Sequence, residues 1–460
     1  MTTLPLHDSN YRRDLGNDLQ VRWSTSADME AVATLVAQVF RHKSDALPNA
    51  WIAAWARDLM SGNHPLSGPG DWALVEHVQT QQVVACTCLM AQTWEYGGIS
   101  FPVARPELVA TDIEYRRRGL IRTIFELIHA RSAARGDLAL GITGIPYYYR
   151  LFGYEYAIEL EGSYNVLFND IPLVKEEQPE PYALRPATAD DLPLLLRLYG
   201  PERRWCSNGQ QILVATQLDE TYWRFLINGG LSEESHEGWH TQMIVTVAGD
   251  AVGYVLTYRK PHWSNRRSIP VCGFGLEPGI PYTVVLPSVL RALQTQAPVF
   301  LFKADDPPIT GILWLFNRQH PVYDALGDIA RLHRRPYAWY VRVPNLAALV
   351  RHIAPVLERR LTDSIMAGYG GELKLDFYRG GLRFVFENGR LCNVEDWSAA
   401  LWEDGNRANF PPYIFLQLLF GHRSLAELQY AYTDVLVDSE PEILLNILFP
   451  AEPSFVLPLD

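Results

Sequence analysis

The chain has 460 residues, 48% of them hydrophobic and 20% charged, and a net charge of −12. That is room for about three domains of ~150 residues, and an aromatic share of 12% excludes a mainly disordered chain. The acidic balance disfavours generic binding to nucleic acid or anionic membranes, and no apolar run reaches the ~18 residues of a spanning helix. The opening residues lack the apolar core of a signal peptide, which sets the expectation of a cytoplasmic protein.

After a polar arm, Leu19–Phe40 reads as a strand and then a helix, with Ser26 as the expected N-cap and Met29, Val32, Leu35, Val36 and Phe40 at helical spacing. A second helix is expected over Asn49–Met60. DWALVEHV and QQVVACTCLMAQTWEY then read as antiparallel strands. Cys86 and Cys88 alternate on the second of these, so they share a face and read as two small buried thiols. ARPELVATDIEY is a further strand. It runs into an amphipathic helix with Ile121, Ile124, Phe125 and Ile128 on one face and Gly136 as its stop. DLALGIT is a strand, and PYYYRLFGYEYAIE reads as a short helix, a glycine stop and a strand.

A Pro- and Glu-rich linker near residues 169–182 precedes a second strand, capped turn and helix, so residues 180–337 repeat the first unit in element order. TQMIVTVAGDAVGYVLTYRK is a hairpin around Ala248–Asp250. A third unit starts near Ala338. It contains alternating strands turned at Gly380-Gly381 and Asn388-Gly389, then helices opened by Ser424 and Ser439.

The chemistry-bearing stretch is LVATDIEYRRRGLIRTIFELIHA, a strand that enters an arginine-glycine turn opening a helix. The free N–H groups and partial positive charge of a helix start suit an anion, pyrophosphate above all. Gly119 permits close approach of the backbone, and Arg116, Arg117, Arg118 and Arg122 surround the turn. The backbone of Val109 to Thr111 is placed to meet an extended ligand arm.

With the following strand and YYYRLFGYE, these residues resemble the GNAT family of acyl-CoA-dependent N-acyltransferases. Ile121 stands where that family commonly has Gly or Ala. RRRGLIR, the Tyr-x-x-Phe-Gly-Tyr segment and the order of the three units resemble, more narrowly, the enhanced-intracellular-survival (Eis) acetyltransferases. The resemblance implies an α+β, α/β chain of tandem GNAT domains (mixed, mostly antiparallel sheets with flanking helices) and a C-terminal sterol-carrier-protein-like α+β domain. Residues 1–170 would be the catalytic unit, 180–337 a unit without a coenzyme site, and 338–460 the terminal unit. It also implies acetyl-CoA as donor, amine acceptors, no metal and a homohexamer.

By motif position, Val109, Ala110 and Thr111 would pair with the pantetheine arm. Arg117, Arg118, Gly119, Leu120, Ile121 and Arg122 would hold the pyrophosphate, and Gly144 and Ile145 would lie near the reactive end. Tyr149, four residues before Gly153, would be the acid. A phenol with an ordinary pKa of ~10 suits protonation of a leaving thiolate. The chain's last carboxylates, at Asp460, would be the base, drawn in by the apolar tail Phe455, Val456, Leu457 and Leu459. Phe40, Trp51 and Trp55 are placed where the acceptor wall forms in this fold, or serve as ordinary core.

Two other readings are open to test. His236-Glu-Gly-Trp-His240 matches HExxH, but Gly238 and the adjacent strand pattern oppose the helix that zinc chemistry needs. The non-enzymatic alternative on the same domains is an acyl-CoA-binding sensor or a carrier of apolar ligands, and the carrier would need a cavity along Leu373–Phe377 and Leu382–Phe386, the same faces a packed core needs.

Overall fold

A computed structural model of the chain describes residues 4–41, 47–173, 179–200, 206–235, 237–300, 307–399 and 406–457. The first sheet opens with β1 (Arg12–Gly16) and β2 (Leu19–Trp23). The chain then turns into α1 (Met29–Val39) and α2 (Ala50–Met60) before β3 (Trp72–His77), β4 (Gln82–Tyr96) and β5 (Ile99–Thr111). Next come α3 (Leu120–Arg135), β6 (Ala139–Ile142) and β7 (Glu155–Leu160).

The turn before α1 is capped by Thr25, not Ser26: Thr25 and Asp28 close a capping box. Asn49 caps α2 by accepting from the Trp51 and Ile52 N–H groups. One face of the sheet is covered by α1 and α2, which bury Val32, Leu35, Val36 and Leu59 against Cys86, Cys88 and Met90. The other is covered by α3, through Leu120, Ile124, Phe125 and Ile128. Each such side chain contributes on the order of 1.5–3 kcal/mol on burial. Both thiols are buried, as expected, and burial raises their pKa values.

A second sheet has the order 331–334, 163–167, 311–314, 268–276, 251–258, 239–246, 182–186. Two strands cross between the sheets. Ser163–Leu167 lies between Gly311–Trp314 and Arg331–Arg334 in the second sheet. Tyr337–Arg342 lies between β6 and β7 in the first. Each unit thus holds a strand from outside its own stretch of sequence, across the boundaries near 170 and 337. A third crossing is Val214–Thr216, which pairs with Trp94–Tyr96 of β4.

The repeat of the two units extends to residues, further than element order alone suggests. Arg22, Thr25 and Asp28 recur at the same spacing as Arg185, Thr188 and Asp191. Arg22 Nη2 lies 2.7 Å from Asp28 Oδ1, and Arg185 Nη2 lies 2.7 Å from Asp191 Oδ1. In both, the threonine N–H donates to the aspartate, at 2.7 and 2.8 Å.

The third sheet has the order 390–397, 381–387, 371–376, 407–409, 436–437. Leu373, Leu375, Leu382, Phe384 and Phe386 are buried in one cluster with Leu357, Phe415, Leu444 and Leu445. Helices therefore cover the faces at Leu373, Leu375, Phe384 and Phe386, while an open pocket of about 560 Å³ remains beside Phe377 and Leu382.

Candidate active site

β5 and β6 run parallel but pair only at Val103–Ala139 and Ala104–Leu140. β5 then continues to Thr111 while β6 ends at Ile142, so the two diverge and leave a wedge. A bulge shapes the β5 side of it. Glu107 is opposite Cys88 and Ala110 opposite Cys86, so two residues face Thr87, and Leu108 takes a φ of 50°. The Asp112 N–H donates to Val84 O, so the alternation of an antiparallel ladder turns the backbone groups of Thr111 to the open side. There the Thr111 carbonyl accepts from Arg116 Nε at 3.4 Å.

The turn that follows ends at Gly119, the N-cap of α3, with φ 77°. A Cβ here would meet nothing within 4 Å, so the backbone conformation, not crowding, calls for glycine. The N–H groups that open α3 lack intrahelical carbonyls, and the first turn closes with Thr123 N–H on Gly119 O at 3.2 Å. Arg117 is exposed at φ 64°. Arg122 lies over the Phe152 ring at 5.8 Å. Gly119→Val would force a branched side chain into this conformation at a cost of about 1–3 kcal/mol. We expect it to weaken binding of a pyrophosphate-bearing ligand at this turn roughly tenfold by calorimetry, and to lower the melting temperature by about 2–8 °C.

These parts line one open cleft of about 550 Å³. It brings together Phe40, Val109, Thr111, Arg116, Arg117, Gly119, Leu120, Ile121, Arg122 and Ile145 of the expected residues, and adds Tyr148. Arg118 is turned away: its Nη2 donates to Glu114 O at 2.9 Å and its guanidinium lies over Tyr115. Ala110 points its methyl into the α1–α2 core.

Tyr149 opens the short 3₁₀ turn Tyr149–Phe152 that Gly153 ends. Its ring is only 3% exposed and packs on Phe125 and Tyr340. A Cβ on Gly144 would lie 4.0 Å from its hydroxyl, so the phenol stands beside the end of β6. Burial, and secondly the charge of Glu107, push its pKa up, so it holds its proton at neutral pH. Tyr147 is exposed, and Tyr148 is half-buried on the cleft wall.

Sequence reasoning missed two supports of this site. Tyr340, on the inserted strand, donates to Ile145 O at 3.2 Å and lies 2.6 Å from the Tyr156 hydroxyl, fixing the segment after β6. Glu107 sits at the bulge: its Oε2 accepts from Arg105 Nη2 at 2.7 Å and its Oε1 from the Leu108 N–H at 3.1 Å. Arg105 is fully buried over Trp339. A charge pair two apart in an apolar strand, Arg105-Pro-Glu107, was the available signal.

Trp51 and Trp55 do not line the cleft. Trp51 lies under the Lys260 ammonium at 4.2 Å, and the Trp55 indole donates to Glu237 Oε2 at 3.0 Å. The same oxygen is 2.9 Å from His64 Nε2. Both tryptophans face the second unit because they lie on the side of α2 that turns toward residues 237–260, which helical spacing alone does not reveal. Trp55→Phe removes a hydrogen bond to a buried carboxylate and is expected to cost about 1.5–3 kcal/mol in denaturant unfolding. The cleft, which neither tryptophan lines, should be left unchanged.

Within HExxH, His236 lies outside the described residues. Glu237 is held by His64 and Trp55, and His240 stands on the strand Trp239–Thr246, so no zinc-binding helix forms. Asp460 also lies outside the described residues. The tail before it runs parallel to 213–216. Phe455 N–H donates to Val214 O at 2.8 Å and Leu457 N–H to Thr216 Oγ1 at 2.9 Å.

Residues 20–157 match the family model of the acetyltransferase (GNAT) domain. This stretch is a GNAT acetyltransferase domain, and the protein is an N-acetyltransferase. Over the whole chain its fold is that of larger GNAT proteins. A GCN5-related N-acetyltransferase from Kribbella flavida aligns at 16% identity and a TM-score of 0.63, over 96% of this chain and 98% of that one. One from Anabaena variabilis aligns at 13% and 0.64, over 95% and 99%. Eis1 from Mycobacterium abscessus aligns at 14% and 0.54, over 95% and 98%, so the Eis-like resemblance holds in the fold. No curated protein matches the chain.

Proposed function

We propose that the protein transfers the acetyl group of acetyl-CoA directly to an amine, on a cationic small molecule or a lysine side chain. The observation that carries this reading is the cleft where the wedge beside β5, the arginine turn and the start of α3 meet; Tyr149 and Gly144 are not among its lining residues, and the buried phenol stands behind the wall, next in sequence to the lining Tyr148. Thr111 offers backbone groups to the pantetheine arm in place of a β6 partner. The N–H groups from Gly119 to Arg122, with Arg116, Arg117 and Arg122, hold the pyrophosphate.

Tyr149 gives its proton to the departing thiolate. Glu107 is engaged at both oxygens beside Tyr149, and a carboxylate in that place suits a cationic acceptor. The Leu108 N–H is occupied by Glu107, so the oxyanion takes its donors from the neighbouring backbone. Asp460 supplies the carboxylate that accepts the amine proton. The tail's course along Val214–Thr216, itself paired to β4, supports this by leading toward the sheet that carries the bulge. In this reading residues 1–170 catalyse, 180–337 form a unit without a coenzyme site, and 338–460 form a sterol-carrier-like unit. The working form is a homohexamer.

Release of coenzyme A thiol from acetyl-CoA, followed across polyamines, aminoglycosides and lysine peptides, tests the proposal. Turnover with an amine is the expected result. Acetyl-CoA that fails to bind would overturn it.

A further inference from the structure

The second unit repeats the construction of the cleft and replaces its chemistry. Its strand Ser268–Leu276 pairs in parallel with Gly311–Trp314 only over Ser268–Val271 and then leaves that edge unpaired, as β5 does past Ala104 on the side of β6. The wedge so formed is part of a pocket of about 350 Å³. Its parts correspond to those of the first cleft. The end of the helix Leu192–Tyr199 stands where Phe40 stands, the turn 277–281 where the arginine turn is, and Phe316–Pro321 where Ile145–Phe152 is.

The anion chemistry is gone. The turn reads Glu277-Pro278-Gly279-Ile280-Pro281, with an acid in place of arginines and two prolines that have no N–H to offer. Glu277 is paired with Arg197, and among the described residues no lysine or arginine lines the pocket. What replaces it is aromatic: Tyr199, Tyr254, Phe274, Tyr282, Phe316 and Phe455. Apart from Glu277, whose carboxylate is taken up by Arg197, the polar side chains on the wall are tyrosine hydroxyls, an amide and an imidazole. His320 stacks on Phe316 at 4.1 Å, and burial lowers its pKa to about 3. Its Nδ1 accepts from the Val322 N–H, which leaves the proton on Nε2. Asn317 is buried beside it.

The pocket also touches the tail. Phe455 lines it and packs on Phe316 at 5.7 Å, while its N–H holds the tail to Val214. The side chain that closes the second pocket therefore belongs to the segment that leads to Asp460.

We propose that this pocket is a second ligand site, for a small, uncharged, planar aromatic molecule without phosphate, and that its occupancy steadies the tail through Phe455. The site stands apart from the acetyl-CoA cleft and does not depend on acetyl transfer.

The test is calorimetric titration of the full chain with 2-naphthol as probe, with and without saturating acetyl-CoA. Hydrogen exchange of residues 453–457 is followed in parallel. We expect one naphthol site per chain, unaffected by acetyl-CoA, and slower exchange of the Phe455 and Leu457 amides when it is filled. Ile280→Trp fills the pocket, and Ile280→Lys places a charge at its half-exposed mouth, where folding tolerates it. Each should weaken naphthol binding at least tenfold and remove its effect on exchange, with acetyl-CoA affinity unchanged. No binding, binding displaced by acetyl-CoA, binding untouched by Ile280→Lys, or two acetyl-CoA molecules per chain would overturn the proposal.

Discussion

Tyr149→Phe is expected to lower kcat by about 10²–10⁴, the range of a lost general acid, with acetyl-CoA affinity unchanged. The substitution keeps the ring among Phe125 and Tyr340 and removes only the hydroxyl, so the fold should survive. The sign of the pH dependence follows from the raised pKa. The phenol is competent while protonated and is lost as pH rises through its pKa, which burial places above the ordinary ~10. The rate profile should therefore show no alkaline fall below about pH 10. Steady-state kinetics from pH 6 to 10 check both points. A Tyr149→Phe enzyme with full kcat would move the acid elsewhere, and the half-buried Tyr148 on the cleft wall would be next in line.

Removing Pro458–Asp460 is expected to have the other large effect, a fall in kcat of about 10²–10⁴ if the base is lost. Among the described residues the tail is seated by hydrogen bonds at Phe455 and Leu457, and the shortened chain keeps these. Acetyl-CoA should still bind with wild-type affinity, and the melting temperature should stay within about 2 °C. Asp460→Asn separates the side-chain carboxylate from the rest of the tail. Loss equal to that of the truncation would assign the base to the side chain. Unchanged kcat in the truncated chain would show that another group accepts the amine proton, and the carboxylate of Glu107 would be the first to test.

Much of the N-terminal unit was legible because its signals are local. The strand, arginine-glycine turn and amphipathic α3 with its glycine stop stand as the residue pattern implies. So does the short helix ending at Gly153. The parts that stayed hidden depend on contacts distant in sequence. Tyr337–Arg342 joins β6 and β7 across almost two hundred residues, and nothing in its alternation names its partners. Val214–Thr216 adds to β4 as three residues, too few to read. The side of α2 that carries Trp51 and Trp55 is apolar in either role, so the sequence could not separate an acceptor wall from a contact with Glu237 and Lys260. The split among the arginines is set by local geometry. The extended Arg116 and the left-handed Arg117 send consecutive side chains in different directions, and Arg118 folds back on Glu114 and Tyr115.

That split allows the most direct measurement of the central claim, that the cleft beside β5 and the arginine turn is the acetyl-CoA site. Acetyl-CoA is titrated calorimetrically into the wild-type chain, into Arg117→Glu with Arg122→Glu, and into Arg118→Glu. The account predicts one site per chain, an affinity at least a hundredfold weaker in the double variant, and near wild-type binding in Arg118→Glu. Equal binding in all three, or a loss only in Arg118→Glu, would contradict it.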